Sequence, residues 1–318
     1  MAFYIVKRLL WTVVLMVLIS AITFYIFYKL PSADPAALRA GRSPSPETLA
    51  LIREQLGLNN PWYTQLKDFL TDLFFHFDLG NSFVNNEPVR PTLFDRIPAT
   101  LFLVFGAAVV WVIVGVTVGI ISAVFRGTIW DRILMGGALL AISAPVYWLG
   151  LIALFLFSDD IGKFGILPGS GAYQDADGFF DKAHTLIMPW IVLSAAFAAI
   201  YARLLRANLL ETLSEDYIRT ARAKGLSERR VVLRHGLRSA GTPIVTVLGL
   251  DIGILFGGAI LTESVFNIPG VGRYAFDAIS RGDLATIQGT TVFLALGVAL
   301  MSLIVDVIYA FLDPRVRY

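Results

Sequence analysis

The stretch from Asp216 to Gly241 reads DYIRTARAKGLSERRVVLRHGLRSAG. It is polar and strongly basic, yet long apolar segments flank it on both sides. Two short helices are written into it. Ser214 is a good N-cap, and Glu215 and Asp216 follow in the first turn, where negative charge favours the helix dipole. Helical residues continue through Tyr217, Ile218, Thr220, Ala221 and Ala223 to Gly225, which suits the left-handed position that ends a helix. Ser227 caps a second helix, Glu228 to about Leu237, with Leu226 and Val231 placed as a hydrophobic staple. Small residues at Thr220, Ala221 and Ala223 let the first helix press into another protein's groove. A loop that simply binds anionic lipid is the plainer alternative, but it needs neither two capped helices nor an alanine-rich face.

What holds this loop is a membrane protein. Of 318 residues, 56% are hydrophobic and 16% charged, with a mean hydropathy of +0.70, whereas soluble domains carry roughly 25% charged residues. The charges are clustered, leaving apolar runs near the ~20 residues that cross a bilayer core of roughly 30 Å. Six runs meet this test, at 9–30, 98–125, 131–157, 184–204, 243–265 and 287–312. The expected fold is therefore an all-α polytopic membrane protein of six transmembrane helices. A cleaved leader is the rival reading of 9–30, but that run exceeds the roughly 7–15-residue apolar core of a signal peptide. With no cysteine, disulfides and thiolate sites are excluded, and His76, His184 and His235 are too scattered to suggest a metal set.

The chain divides into 1–30, an extracytoplasmic segment 31–97, and a five-helix core 98–318 carrying the loop 205–242. In the second part, Trp62, Leu66, Phe69, Leu70 and Leu73 recur at helical spacing. A helix lying on the membrane would show this pattern; a small structured cap is the preferred reading. Segment 158–183 is an acidic loop, and Pro269, Gly270 and Gly272 predict a tight turn before a short helix. One side of the membrane receives Lys7, Arg8, Arg126, Arg132, nine basic residues between Arg203 and Arg238, and Arg315 and Arg317. Short basic loops stay in the cytoplasm, so both termini and the 204–242 loop are expected there.

Gly249, Gly253 and Gly257 repeat every four residues in the fifth span, as do Gly115 and Gly119 in the second. That spacing removes side chains from one stripe and admits a neighbouring backbone. Pro145 and Pro189 are expected to kink the third and fourth spans. Three acids sit in or near apolar spans: Asp251, Glu263 and Asp306. Such charges normally face a protein interior or a watery path. Glu263 is placed near the outer end, within reach of water, and Asp306 toward the inner end. Asp251 is the deepest, either lining a translocation path or serving as a hydrogen-bonded structural carboxyl.

At the loop the chain resembles the membrane subunit of bacterial ABC importers of the dipeptide/oligopeptide/nickel permease family. Their EAA signature is Glu-Ala-Ala, three residues, then Gly. The aligned positions here are Arg219, Thr220, Ala221 and Gly225, so Arg219 and Thr220 depart from the generic residues while Ala221 and Gly225 match. His235 and Arg238 also stand where Ile and Pro are often found. The longer string DYIRTARAKGLSERRVVLRHGLR resembles the first of the two permeases in peptide importers. So do LGLNNPWYTQ, DLGNSF, RIPATL, APVYWLG, HTLIMPW, TESVFNIPGVGR and VDVIYAFLDPRVRY, in family order along nearly the whole chain.

The resemblance implies a type I importer permease fold, in which the helix of Tyr217, Arg219, Thr220, Ala221, Arg222, Ala223, Lys224 and Gly225 docks in a cleft of a cytoplasmic ATPase. It implies a second homologous permease, two ATPase subunits or a fused ATPase, and an extracytoplasmic peptide-binding protein, with no nucleic acid. The implied substrate is a di- or oligopeptide, with nickel chelates or glutathione as alternatives. No cofactor is expected in this chain: a phosphate loop GxxxxGK[ST] is absent, since Gly162-Lys163 is followed by Phe164. ATP and Mg then belong to the partner ATPases, and this subunit is not an enzyme. An ion-coupled secondary transporter is the rival, using Asp251, Glu263 and Asp306. It leaves the capped loop unexplained, and six spans without an evident repeat are few for it. An intramembrane hydrolase would need a catalytic set, and neither HExxH nor a well-placed Ser/His pair occurs.

Overall fold

A computed structural model of the chain describes residues 2–29, 34–40 and 44–312, with side chains described except at 2–5, 246, 256–258 and 305–312. In chain order the helices are α1 (Ala2–Lys29), α2 (Pro35–Ala40), α3 (Pro46–Gln55), α4 (Trp62–Thr71) and α5 (Val89–Val124). They continue with α6 (Ile129–Ser143), α7 (Val146–Phe157), α8 (Ala172–Asp175), α9 (Gly178–Thr212) and α10 (Asp216–Ala223). The last are α11 (Glu228–Arg230), α12 (Leu237–Ala240), α13 (Thr242–Gly258), α14 (Ile260–Val265), α15 (Val271–Arg281) and α16 (Leu284–Leu312). Among the described residues the only β-type pairings are isolated bridges, Asn81 to Pro88 and Ser158 to Leu167. The protein is all-α.

Among the described residues, four helices are long and apolar enough to cross a membrane: α1, α5, α9 and α16. Two further spans arise if bent pairs are counted, giving up to six. The first pair is α6 with α7, bent by 107°, and the second is Glu228–Ala240 with Thr242–Leu255, bent by 48°. The apolar runs thus appear as helices, but with different ends. α5 begins at Val89, well before the expected 98, and α9 extends the fourth span to 178–212.

The two prolines behave differently. At Pro145 the expected kink is a complete break, because Ala144 has left the helix for extended backbone (φ −88°, ψ 128°) and Pro145 follows at ψ 136°. A residue before proline is driven out of the helical region by the pyrrolidine ring. At Pro189 α9 runs on without interruption. Trp190 beside it is anchored, its Nε1 donating to the Phe102 carbonyl at 3.1 Å.

One compact unit comprises residues 1–100, 256–260 and 269–318. Within it, α4 packs against α1: Lys29 Nζ donates to Gln65 Oε1 at 3.2 Å, and the Phe24 and Phe69 rings stack at 5.7 Å. Leu73 is buried with Met16 and Val292, whereas Trp62 points outward, 59% exposed. Asp283 closes this unit by accepting from Ser82 Oγ (2.5 Å), the Phe83 amide (2.8 Å) and Thr286 Oγ1 (2.8 Å). Gly270 does precede a short helix, α15, as the turn residues predict, and Gly282 ends it at φ +68°.

The second unit comprises 101–255 and 261–268 and carries the loop. Its seam is the glycine stripe of α5 against α9. A Cβ on Gly115 would lie 2.9 Å from the Ala198 carbonyl oxygen, and one on Gly119 2.9 Å from that of Ala202. Only hydrogen at these positions lets the two backbones meet.

Candidate functional site: the loop helix and the intramembrane acids

Ser214 is not the cap of α10. It still belongs to the turn closing α9, where its amide donates to the Glu211 carbonyl at 3.0 Å and its Oγ to the same oxygen at 2.6 Å. The cap falls one residue later, at Glu215 in extended backbone, whose carbonyl accepts from the Ile218 and Arg219 amides. The other end forms as the sequence predicts. Gly225 has φ +77°, its amide donates to Arg222 O at 2.9 Å, and the Leu226 amide reaches back to Ala221 O at 3.4 Å. This double bond to the last turn satisfies carbonyls that would otherwise be orphaned.

α10 is held from one side. Ile218 and Ala221, three residues apart on one face, are buried against Val231, with Leu213 and Leu226 flanking them. Burying Ile218 contributes about 1.5–3 kcal/mol. Arg222 adds a clasp: its Nε donates to Glu228 Oε1 at 2.7 Å and its Nη1 to the Leu213 carbonyl at 3.3 Å. The guanidinium holds the Glu228 carboxyl below the usual carboxylate range.

The outward face is Tyr217, Arg219, Thr220, Ala223 and Lys224, all exposed. The small-residue face expected from the sequence is therefore split, with Ala221 turned inward and Thr220 and Ala223 outward. Beyond Glu228–Arg230 the helix widens into a π turn over Val231–Gly236, which no composition signal announced. Tyr217, Arg234, His235, Arg238 and Ser239 line an open, basic cleft of about 610 Å³ beside α10.

The acids separate by depth. Asp251 is half-buried, and its Oδ2 accepts from Tyr201 Oη at 2.7 Å. Tyr201 is itself fully buried against Trp111, which stacks on Phe197 at 5.0 Å. Fifty residues separate Tyr201 from Asp251, so nothing local in the sequence pairs them. Glu263 does not reach water as expected: it is fully buried in α14. Asp306 lies outside the residues whose side chains are described.

These features define a class: a polytopic helical membrane protein that carries a clasped helix outside its spans. The family described as "binding-protein-dependent transport system inner membrane component" matches residues 115–318, and its N-terminal companion matches residues 1–104. The chain belongs to this family and is an inner-membrane permease subunit of an ABC importer. A putative peptide transport system permease protein of Brucella abortus (strain 2308) is 38% identical over 314 residues, covering 99% of this chain and 98% of that protein. The glutathione transport system permease protein GsiC of Escherichia coli O6:H1 is 41% identical over 315 residues, covering 99% of both chains. The K12 GsiC protein is 40% identical over the same length.

Proposed function

We propose that the chain is the permease of an ATP-driven importer of short peptides, and that α10 is where the ATPase grips it. The observation carrying this reading is the two-sidedness of α10: one face is clamped by Ile218, Ala221 and Arg222, while the opposite face meets solvent. A helix built to receive force needs both. Peptide as substrate class is supported by relatives named for peptide and for glutathione, itself a tripeptide. In this reading the loop and both termini are cytoplasmic. ATP and Mg are held by two ATPase subunits or a fused one, a second homologous permease completes the path, and an extracytoplasmic binding protein delivers the substrate. ATPase closure then moves α10 as a rigid body and changes the side to which the path opens.

The chain's lack of cysteine makes the docking test direct. Ala223→Cys, on the exposed face, is expected to crosslink to the ATPase in the assembled importer, and Ala221→Cys, turned inward, is not. Equal crosslinking from both positions, or none from Ala223→Cys, would sink the docking face. Of the three acids, Asp251 is the one we propose for the path. Asp251→Asn is expected to lower uptake several-fold with assembly intact, while Tyr201→Phe, which removes only the donor, leaves most uptake in place. Normal uptake in Asp251→Asn would make it a structural carboxyl.

A further inference from the structure

We propose that Asp131 and Arg206 form the joint through which movement of α10 reaches the broken pair α6–α7; the inference rests on the docking role given to α10. Asp131 stands in the first turn of α6 and is 5% exposed. Arg206 lies on α9, less than two turns before that helix ends at Thr212. Its guanidinium grips the carboxylate with both prongs, Nε to Oδ1 at 2.9 Å and Nη2 to Oδ2 at 2.8 Å. Ser122 Oγ on α5 donates to Oδ1 as well, and the Gly127 amide in the α5–α6 turn donates to Oδ2 at 2.9 Å. Four donors from three places converge on one carboxylate.

A buried ion pair is weak evidence for stability, since its desolvation offsets much of its attraction. What a bidentate fork supplies is fixed geometry. The surroundings make that geometry matter. Farther along the same helices, α5, α6 and α9 surround an apolar cavity of about 510 Å³, bordered by small residues such as Gly137, Ala138, Ala141, Ala195 and Ala198. Larger residues such as Val114, Ile133 and Ile191 complete its lining, and in the proposal this space is the room into which α6 tilts while it is pinned at Asp131. Just past that same end of α9, Arg222 ties α10 to the Leu213 carbonyl. The connected path is α10, the end of α9, Arg206, Asp131, α6.

The test uses the complete importer in lipid vesicles, with a single reporter thiol at the break, Ser143→Cys. Labelling by a water-soluble maleimide is followed with and without ATP and vanadate. In the otherwise native chain the rate is expected to change by about tenfold, the size of a modest population shift. Asp131→Asn is expected to abolish that change while the ATPase still co-purifies and still crosslinks to Ala223→Cys. Arg206→Lys, which keeps charge but loses the fork, is expected to retain part of it. Loss of the crosslink together with the labelling response would strike the docking reading, and loss of the response alone supports the joint. A response of native size in both variants, or no ATP response in the native background, would overturn the proposal. Failure of both variants to assemble would also overturn it and assign the pair to folding.

Discussion

Gly225→Val is expected to cut ATPase co-purification by about tenfold or more while leaving the amount of permease in the membrane unchanged. The reason is purely conformational. No atom lies within 4 Å of where a Cβ would stand, so the substitution meets no clash. It meets a backbone at φ +77°, a region that costs a non-glycine residue about 1–3 kcal/mol and a β-branched one the most. Relief of that strain unwinds the turn and breaks the bonds from the Gly225 and Leu226 amides to Arg222 and Ala221. Ala221 then loses its seat against Val231. A graded series separates this from any effect of bulk. Asn tolerates the left-handed region and should leave association near native, Ala should be intermediate and Val worst. Co-purification of the Val variant at the native level would remove Gly225 from the docking element.

Gly115→Leu is expected to have the larger effect on the fold itself. Its Cβ would stand 2.7 Å from Tyr201 Cβ and 2.9 Å from the Ala198 carbonyl oxygen, and a backbone atom of a packed helix cannot move aside. α5 and α9 must separate, at a cost of about 1–3 kcal/mol or more for overpacking. The separation also disturbs the Tyr201–Asp251 bond. Gly136→Leu is the matched control, since a Cβ there meets nothing within 4 Å. Thermal unfolding in detergent should fall by several degrees for Gly115→Leu and stay near native for Gly136→Leu. Equal midpoints would mean that the α5–α9 seam has slack.

The spans were legible because crossing a bilayer imposes a length and a polarity that few other structures require. The loop's two helices were legible for a different reason: Gly225 and the buried Ile218 act through neighbours within a few residues. Errors began where register or distance took over. Ser214 has the right side chain for a cap but sits one residue early, inside the turn that closes α9. Ala221 belongs to a small-residue pattern that cannot say which members face inward, and Val231 decided it. Glu263 is fully buried through its neighbours in space, which hydropathy along the chain does not encode. Nothing near Asp131 in the sequence marks it out. Its partner lies 75 residues on, and only the packing of α6 beside α9 makes them a pair.

The break at Ala144–Pro145 has a consequence for hydration. A continuous helix satisfies its own backbone, but two ends meeting at 107° leave the last carbonyls of α6 and the first amides of α7 without helical partners. Lipid tails offer nothing to such groups, and broken backbone at membrane depth is tolerated only beside protein or water. Tyr147, Trp148 and Ser143 are exposed around this point. At membrane depth such a bend is a place that lipid cannot cover: there either a second subunit must seal it or water must stand against it.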